Sequence, residues 1–177
     1  MRKKFDIEDT WLSHEIHPDT PAKGVLLTKR FRGFDVAGMY ANLREQGAPF
    51  GVKFGNMKLL ANSRKALEAS EYARDRGQYR EFHHRMFQAY FTDTQDIGNF
   101  KVILAIAVEC GLDGDGLRQA LEDGRYRGRL EEADREAQKY EVNGVPTFII
   151  EEQEQIVGSQ PLQVFEKVLQ KMVAGKK

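Results

Sequence analysis

Apolar positions along the 177-residue chain change their period twice, and each change marks a different kind of element. Over residues 5–16 the side chains alternate, with Phe5, Ile7, Asp9 and Trp11 on one side and Asp6, Glu8, Thr10 and Leu12 on the other. A period of two predicts a strand. His17-Pro18-Asp19-Thr20-Pro21 ends it, because two prolines and an Asp favour a turn or extended loop. From Phe34 the period becomes helical. Asp35 is placed to cap, and Val36, Met39, Tyr40 and Leu43 share one face as far as Gly47. Residues 48–59 read as a loop. Helical patterns resume over 61–76, 79–91, 99–110, 115–122 and 130–141, punctuated by Gly77, Gly111 and Gly124.

The end of the chain returns to period two. Residues 145–150 are apolar and β-branched, 151–154 form a charged turn, and 155–157 resume as a second strand, so a hairpin is predicted. Gly158-Ser159-Gln160-Pro161 breaks it. Leu162, Phe165, Val168, Leu169 and Met172 then mark the inner stripe of a last helix over 162–173. The predicted order is strand, helical block, hairpin, helix.

Charge and cysteine content narrow the function. Lys+Arg and Asp+Glu both number 27, so the net charge is zero. That removes the usual electrostatic argument for nucleic acid or an anionic membrane surface, and neither is expected as a partner. No segment reaches the roughly 18 apolar residues of a membrane span, and the first residues hold no apolar run of signal-peptide length, so a cytoplasmic location is expected. The one cysteine, Cys110, excludes a CxxC pair within this chain, and a single thiol cannot run a dithiol–disulfide cycle. No catalytic residue is therefore assigned.

Several residues have ordinary readings. Cys110, late on an apolar helix, reads as a buried inert thiol. His83 and His84 point about 100° apart on a helix, and His14 and His17 have no Cys or carboxylate cluster in phase, so no metal is expected. The charged run over 127–141 reads as a solvated helix face, and Trp11, Phe82, Phe87, Tyr90 and Phe91 as core. Asn62 reads as a helix N-cap. Pro146 reads by composition as a trans proline opening a strand, where its missing N–H does no harm, since only roughly 5–6% of X–Pro bonds are cis.

Six segments together resemble a known family. Val142-Asn143-Gly144-Val145-Pro146-Thr147-Phe148 and Gly158-Ser159-Gln160-Pro161 are similar to the cis-proline loop and the G-A-Q-P turn of the DsbA-like branch of the thioredoxin superfamily. HEIHPDTP, the Asn62 to Leu67 segment, FQAYFTDTQDIGN and AVECGLD resemble further family segments in the family's order. The nearest group resembles the FrnE-type oxidoreductases, with 2-hydroxychromene-2-carboxylate isomerases and kappa-class glutathione transferases related to them.

The resemblance implies an α/β fold: a thioredoxin-like core at residues 1–30 and 142–177, with a large helical insertion at 31–141. It implies a cis Val145–Pro146 bond facing the active-site position, with the Val145 backbone open to an extended peptide or to glutathione. It also implies that Asn62 lies near that groove. The family's opening strand and CxxC helix are not found here; the chain starts where the second core strand is expected, so the central N-terminal strand is missing. The leading expectation is a DsbA-family thiol–disulfide oxidoreductase whose catalytic CxxC is absent from this chain. A redox-silent peptide- or partner-binding protein is the first alternative, and a glutathione-dependent isomerase or transferase relative the second. Partners by resemblance are a thiol/disulfide protein or glutathione, with no other cofactor. Sheet edges left open point to a homodimer.

Overall fold

The computed structural model describes residues 1–175. The last two positions of the expected core segment, Lys176 and Lys177, lie outside the described residues. The chain forms two compact units: His17–Glu131, and Met1–Ile16 together with the chain from Glu132 onward.

The first unit is mostly helical. The predicted turn is present, with Thr20 donating its N–H and its hydroxyl to the His17 carbonyl at 3.0 and 2.8 Å. A short strand β1 (Val25–Leu26) follows, then α1 (Leu27–Arg30) and α2 (Val36–Gly47). Asp35 caps α2 as its position predicts, accepting from the Gly38 N–H at 2.9 Å. A 3-10 turn (Ala48–Phe50) leads to β2 (Leu59–Leu60), antiparallel to β1 with Val25 opposite Leu60. The sequence assigns no element to residues 25–26 and ends a loop at 59, because two-residue strands leave too little sequence to establish a period. They enclose a small core of Leu27, Tyr40 and Met57 with Val36, Met39, Leu43 and Phe54 packed around it.

The larger core lies among the following helices: α3 (Arg64–Arg74), α4 (Tyr79–Phe87) with a π turn (Gln88–Thr92), α5 (Phe100–Glu109), α6 (Gly114–Glu122) and α7 (Arg127–Lys139), which continues into the second unit. α3, α4, α5 and α6 each present residues three or four apart to one interior: Ala69, Tyr72 and Ala73; Phe82 and Met86; Ile103, Ile106 and Ala107; Leu117, Ala120 and Leu121. Gly111 lets the chain turn out of α5 at φ +77, a left-handed conformation that a side chain resists. Charges are satisfied at the margin of this core. Asp75 meets the Arg129 guanidinium at 2.7 Å and the Tyr126 hydroxyl at 2.9 Å, and chiefly the Arg129 bond holds its carboxyl below the usual carboxylate range. Among the predicted core aromatics Phe82 is wholly buried, but Phe87 and Trp11 are each about half exposed.

The second unit holds the predicted hairpin. β3 (Thr147–Ile150) pairs antiparallel with β4 (Glu154–Val157), with Thr147 opposite Val157 and Phe148 opposite Ile156. The last helix, α8 (Leu162–Gly175), packs Phe165 edge-on to Phe148 at 4.9 Å.

Residues 5–16 differ from expectation, since they form no strand. A strand is held by ladder bonds to a neighbour, and no other strand among the described residues pairs with this segment. Side chains hold it instead. Lys4 reaches Glu166 of α8 at 2.8 Å, His14 reaches Asp134 of α7 at 3.3 Å, and Trp11 Nε1 donates to Asp9 at 2.7 Å. In burial the alternation holds at the two ends, where Phe5, Ile7, Ser13 and Glu15 are less exposed than Asp6, Glu8, Leu12 and Ile16, and fails at Asp9 and Trp11, which are exposed.

Candidate functional site

The turn before β3 is built by its own polar groups. Thr147 Oγ1 donates to the Gly144 carbonyl at 2.7 Å, closing a three-residue loop around Val145 and Pro146. Gly158 N–H, just past β4, donates to the Pro146 carbonyl at 2.7 Å. The loop is thereby pinned at both ends to the hairpin. Its Val145–Pro146 bond is cis, the geometry that the resemblance implied. Val145 is 49% exposed, and its N–H and C=O make no hydrogen bond among the described residues. Beside it, Phe148 and Val157 are also exposed. A short open edge with apolar neighbours is the arrangement to which an extended chain adds as another strand. Thr147 and Gly158 were not singled out from the sequence. The available signal was a Thr directly after the proline, whose hydroxyl can reach the carbonyl three residues back.

Asn62 belongs to the other unit, and both ends of its side chain are engaged there. Nδ2 donates to the Thr20 carbonyl at 2.6 Å, and Oδ1 accepts from the Arg64 N–H at 3.2 Å. The side chain ties the turn after residue 17 to the start of α3; the N-cap position itself is Ser63.

Cys110 closes α5 and is buried. Burial pushes its thiol above the ordinary range, and the carboxylates of Glu81 and Glu109 push the same way against a smaller opposing pull from Arg85. A thiol so placed holds little thiolate, and thiolate is the nucleophile. Among the described residues no group of three or more His, Cys, Asp and Glu is placed to hold a metal, and no helix is long and apolar enough to cross a membrane.

An apolar hairpin opened by a cis-proline loop, in a chain that also holds a large helical unit, is the element content of a thioredoxin-like protein with an expanded helical region. More specifically, residues 5–170 match the DSBA-like thioredoxin domain, and the chain belongs to that family. It is 32% identical over 173 residues to the uncharacterized protein YwbO of Bacillus subtilis (strain 168), a match that takes in 94% of this chain and 83% of YwbO. The fold is similar to that of the probable DsbA oxidoreductase SCO1869 of Streptomyces coelicolor, with a TM-score of 0.81 at 23% identity, over 90% of this chain and 73% of that one. It is also similar to a 2-hydroxychromene-2-carboxylate isomerase, with a TM-score of 0.72 at 14% identity, over 98% of this chain and 85% of the isomerase.

Proposed function

We propose that this chain supplies the substrate-docking portion of a DsbA-like thiol–disulfide oxidoreductase and is redox-silent by itself. The observation that carries this reading is Val145, exposed and with neither its N–H nor its C=O hydrogen-bonded among the described residues, at the head of a hairpin edge. An extended segment of a thiol- or disulfide-bearing protein would pair there, its alternate side chains lying against Phe148 and Val157. Exchange itself needs an attacking and a resolving thiol, and Cys110 is the one cysteine of this chain. A single buried thiol also accords with a reducing, cytoplasmic setting.

In an insulin-reduction assay the chain is expected to run at the uncatalysed rate, and Cys110→Ser to match it. Turnover that disappears in Cys110→Ser would overturn the redox-silent reading. Binding is tested separately, by titrating reduced insulin B chain into the protein. Val145→Pro removes the Val145 N–H and is expected to weaken binding by about tenfold, as loss of one hydrogen bond to an otherwise unpaired group does. Glutathione that binds and competes with the B chain would favour the isomerase- or transferase-like alternative.

A further inference from the structure

The chain has five asparagines, and the fold treats one of them unlike the rest. Asn42 and Asn56 accept through Oδ1 from Gln46 and Arg44, at 3.1 and 2.8 Å. Asn62 is engaged at both ends of its side chain, and Asn99 caps α5 by accepting from the Lys101 N–H at 3.0 Å. Each of these four precedes a residue with a side chain: Leu43, Met57, Ser63 or Phe100. Asn143 is exposed, its side chain makes no hydrogen bond among the described residues, and the residue after it is Gly144.

The pair lies between α7 and β3, and neither residue belongs to a helix or strand. Gly144 N–H makes no hydrogen bond among the described residues, and nothing lies within 4 Å of the place a Cβ would occupy there. The one bond at Gly144, from Thr147 Oγ1 to its carbonyl, leaves the nitrogen unengaged. Glycine turns freely and has no Cβ to obstruct an approach, so a backbone nitrogen at this position can close on the side-chain amide before it. Here neither the attacking nitrogen nor the amide it would attack is held elsewhere.

We propose that Asn143 is a self-modification site, converting through a cyclic imide to aspartate and isoaspartate. The Gly144 nitrogen gives up its proton and bonds to Asn143 Cγ, the Cγ–Nδ2 bond breaks, and ammonia leaves with that proton. Water then opens the ring. Cleavage of the new N–Cγ bond leaves aspartate. Cleavage at the main-chain carbonyl leaves isoaspartate, whose backbone runs through Cβ and Cγ. Either product adds one negative charge to a chain of zero net charge, two residues before Val145. Isoaspartate also lengthens the main chain by a methylene at the approach to the cis-proline loop. Three Asp-Gly pairs could form the same imide by loss of water, but Asp113 and Asp123 accept from the N–H groups of Asp115 and Arg125, and Asp115 lies within α6. They serve as internal controls.

Incubating the whole chain in mildly alkaline buffer at physiological temperature, then mapping its tryptic peptides by mass, tests this. Trypsin releases Asn143 in the peptide 140–167. That peptide is expected to gain the mass of NH exchanged for O at Asn143 and to split into two chromatographic forms, one of them isoaspartate. The gain is expected to slow in mildly acidic buffer, because the attacking nitrogen must lose its proton. Asn143→Gln is expected to abolish it at this position, and Gly144→Ala to slow it severalfold. Gly144 is not left-handed and has open space at its Cβ position, so alanine fits there. Circular dichroism checks that both variants keep the fold. A folded chain that gains no mass while a synthetic peptide of residues 140–148 converts would overturn the proposal. So would aspartate without isoaspartate, an unslowed Gly144→Ala, equal conversion at the other four asparagines, or isoaspartate arising first at the Asp-Gly pairs.

Discussion

His83 stands in a column of rings on α4, with Tyr79 stacked at 5.1 Å on one side and Phe87 at 4.5 Å on the other. The Arg74 guanidinium covers the far face of Tyr79 at 3.8 Å. Burial chiefly, then the positive charges of Arg74 and His84, hold the His83 imidazole below its ordinary range. The folded state therefore resists protonation that the unfolded chain accepts. Stability from this group is complete above the unfolded pKa, about 6.5, and is lost as pH falls through the lower folded value. The melting temperature is expected to fall between about pH 7 and pH 5, and His83→Phe, which keeps a ring in the column, is expected to show a shallower fall. Melting curves at matched pH values check this, and identical slopes in the two proteins would show that His83 does not contribute.

At the scale of elements, the hairpin carries a visible local conflict. Its turn places Glu151 and Glu152 at φ +51 and +57, and Gln153 N–H closes it on the Ile150 carbonyl at 3.1 Å. Two successive left-handed residues suit the twist of antiparallel strands, which is why such turns favour Asn-Gly. A side chain in that region costs about 1 kcal/mol. Glu152→Gly is expected to raise unfolding stability by about 0.5–1 kcal/mol, the relief of strain being partly offset by the entropy of glycine in the unfolded chain. Urea unfolding measures it, and a loss of stability would mean that the Glu152 side chain makes contacts worth more than the strain.

Across the whole molecule, open sheet edges remain. Each of the two sheets has only two strands among the described residues, so β3 and β4 each show one outer edge without a ladder partner. Val145, Phe148 and Val157 stand exposed around that hairpin. Unpaired edges with apolar side chains invite a second copy, and a homodimer is the expected state at micromolar concentration. Sedimentation velocity decides between this and a monomer, and a stable monomer across the concentration range would leave the edges to substrate alone.

Much of this architecture was legible from the sequence. The six central helices, the hairpin and α8 announce themselves because their period is sustained over many residues and closed by glycine, proline or a capping Asp. The cis-proline loop was legible through resemblance, since composition alone favours trans. Tertiary structure decided the rest. Whether residues 5–16 form a strand depends on a neighbour to pair with, which no local alternation can supply. Strands of two residues are too short to show a period, so β1 and β2 are seen only in the fold, where they pair and where Leu27, next to β1, joins Met57, just before β2, in one cluster. Asn62 was legible as a residue that bonds the start of a helix, but its second bond, to the Thr20 carbonyl 42 residues away, depends on a partner that no local pattern supplies. Charge shows the same division: the sequence determines that the total is zero and that residues 22–58 carry a local +5, while the fold decides that all seven Lys and Arg of that stretch stay exposed.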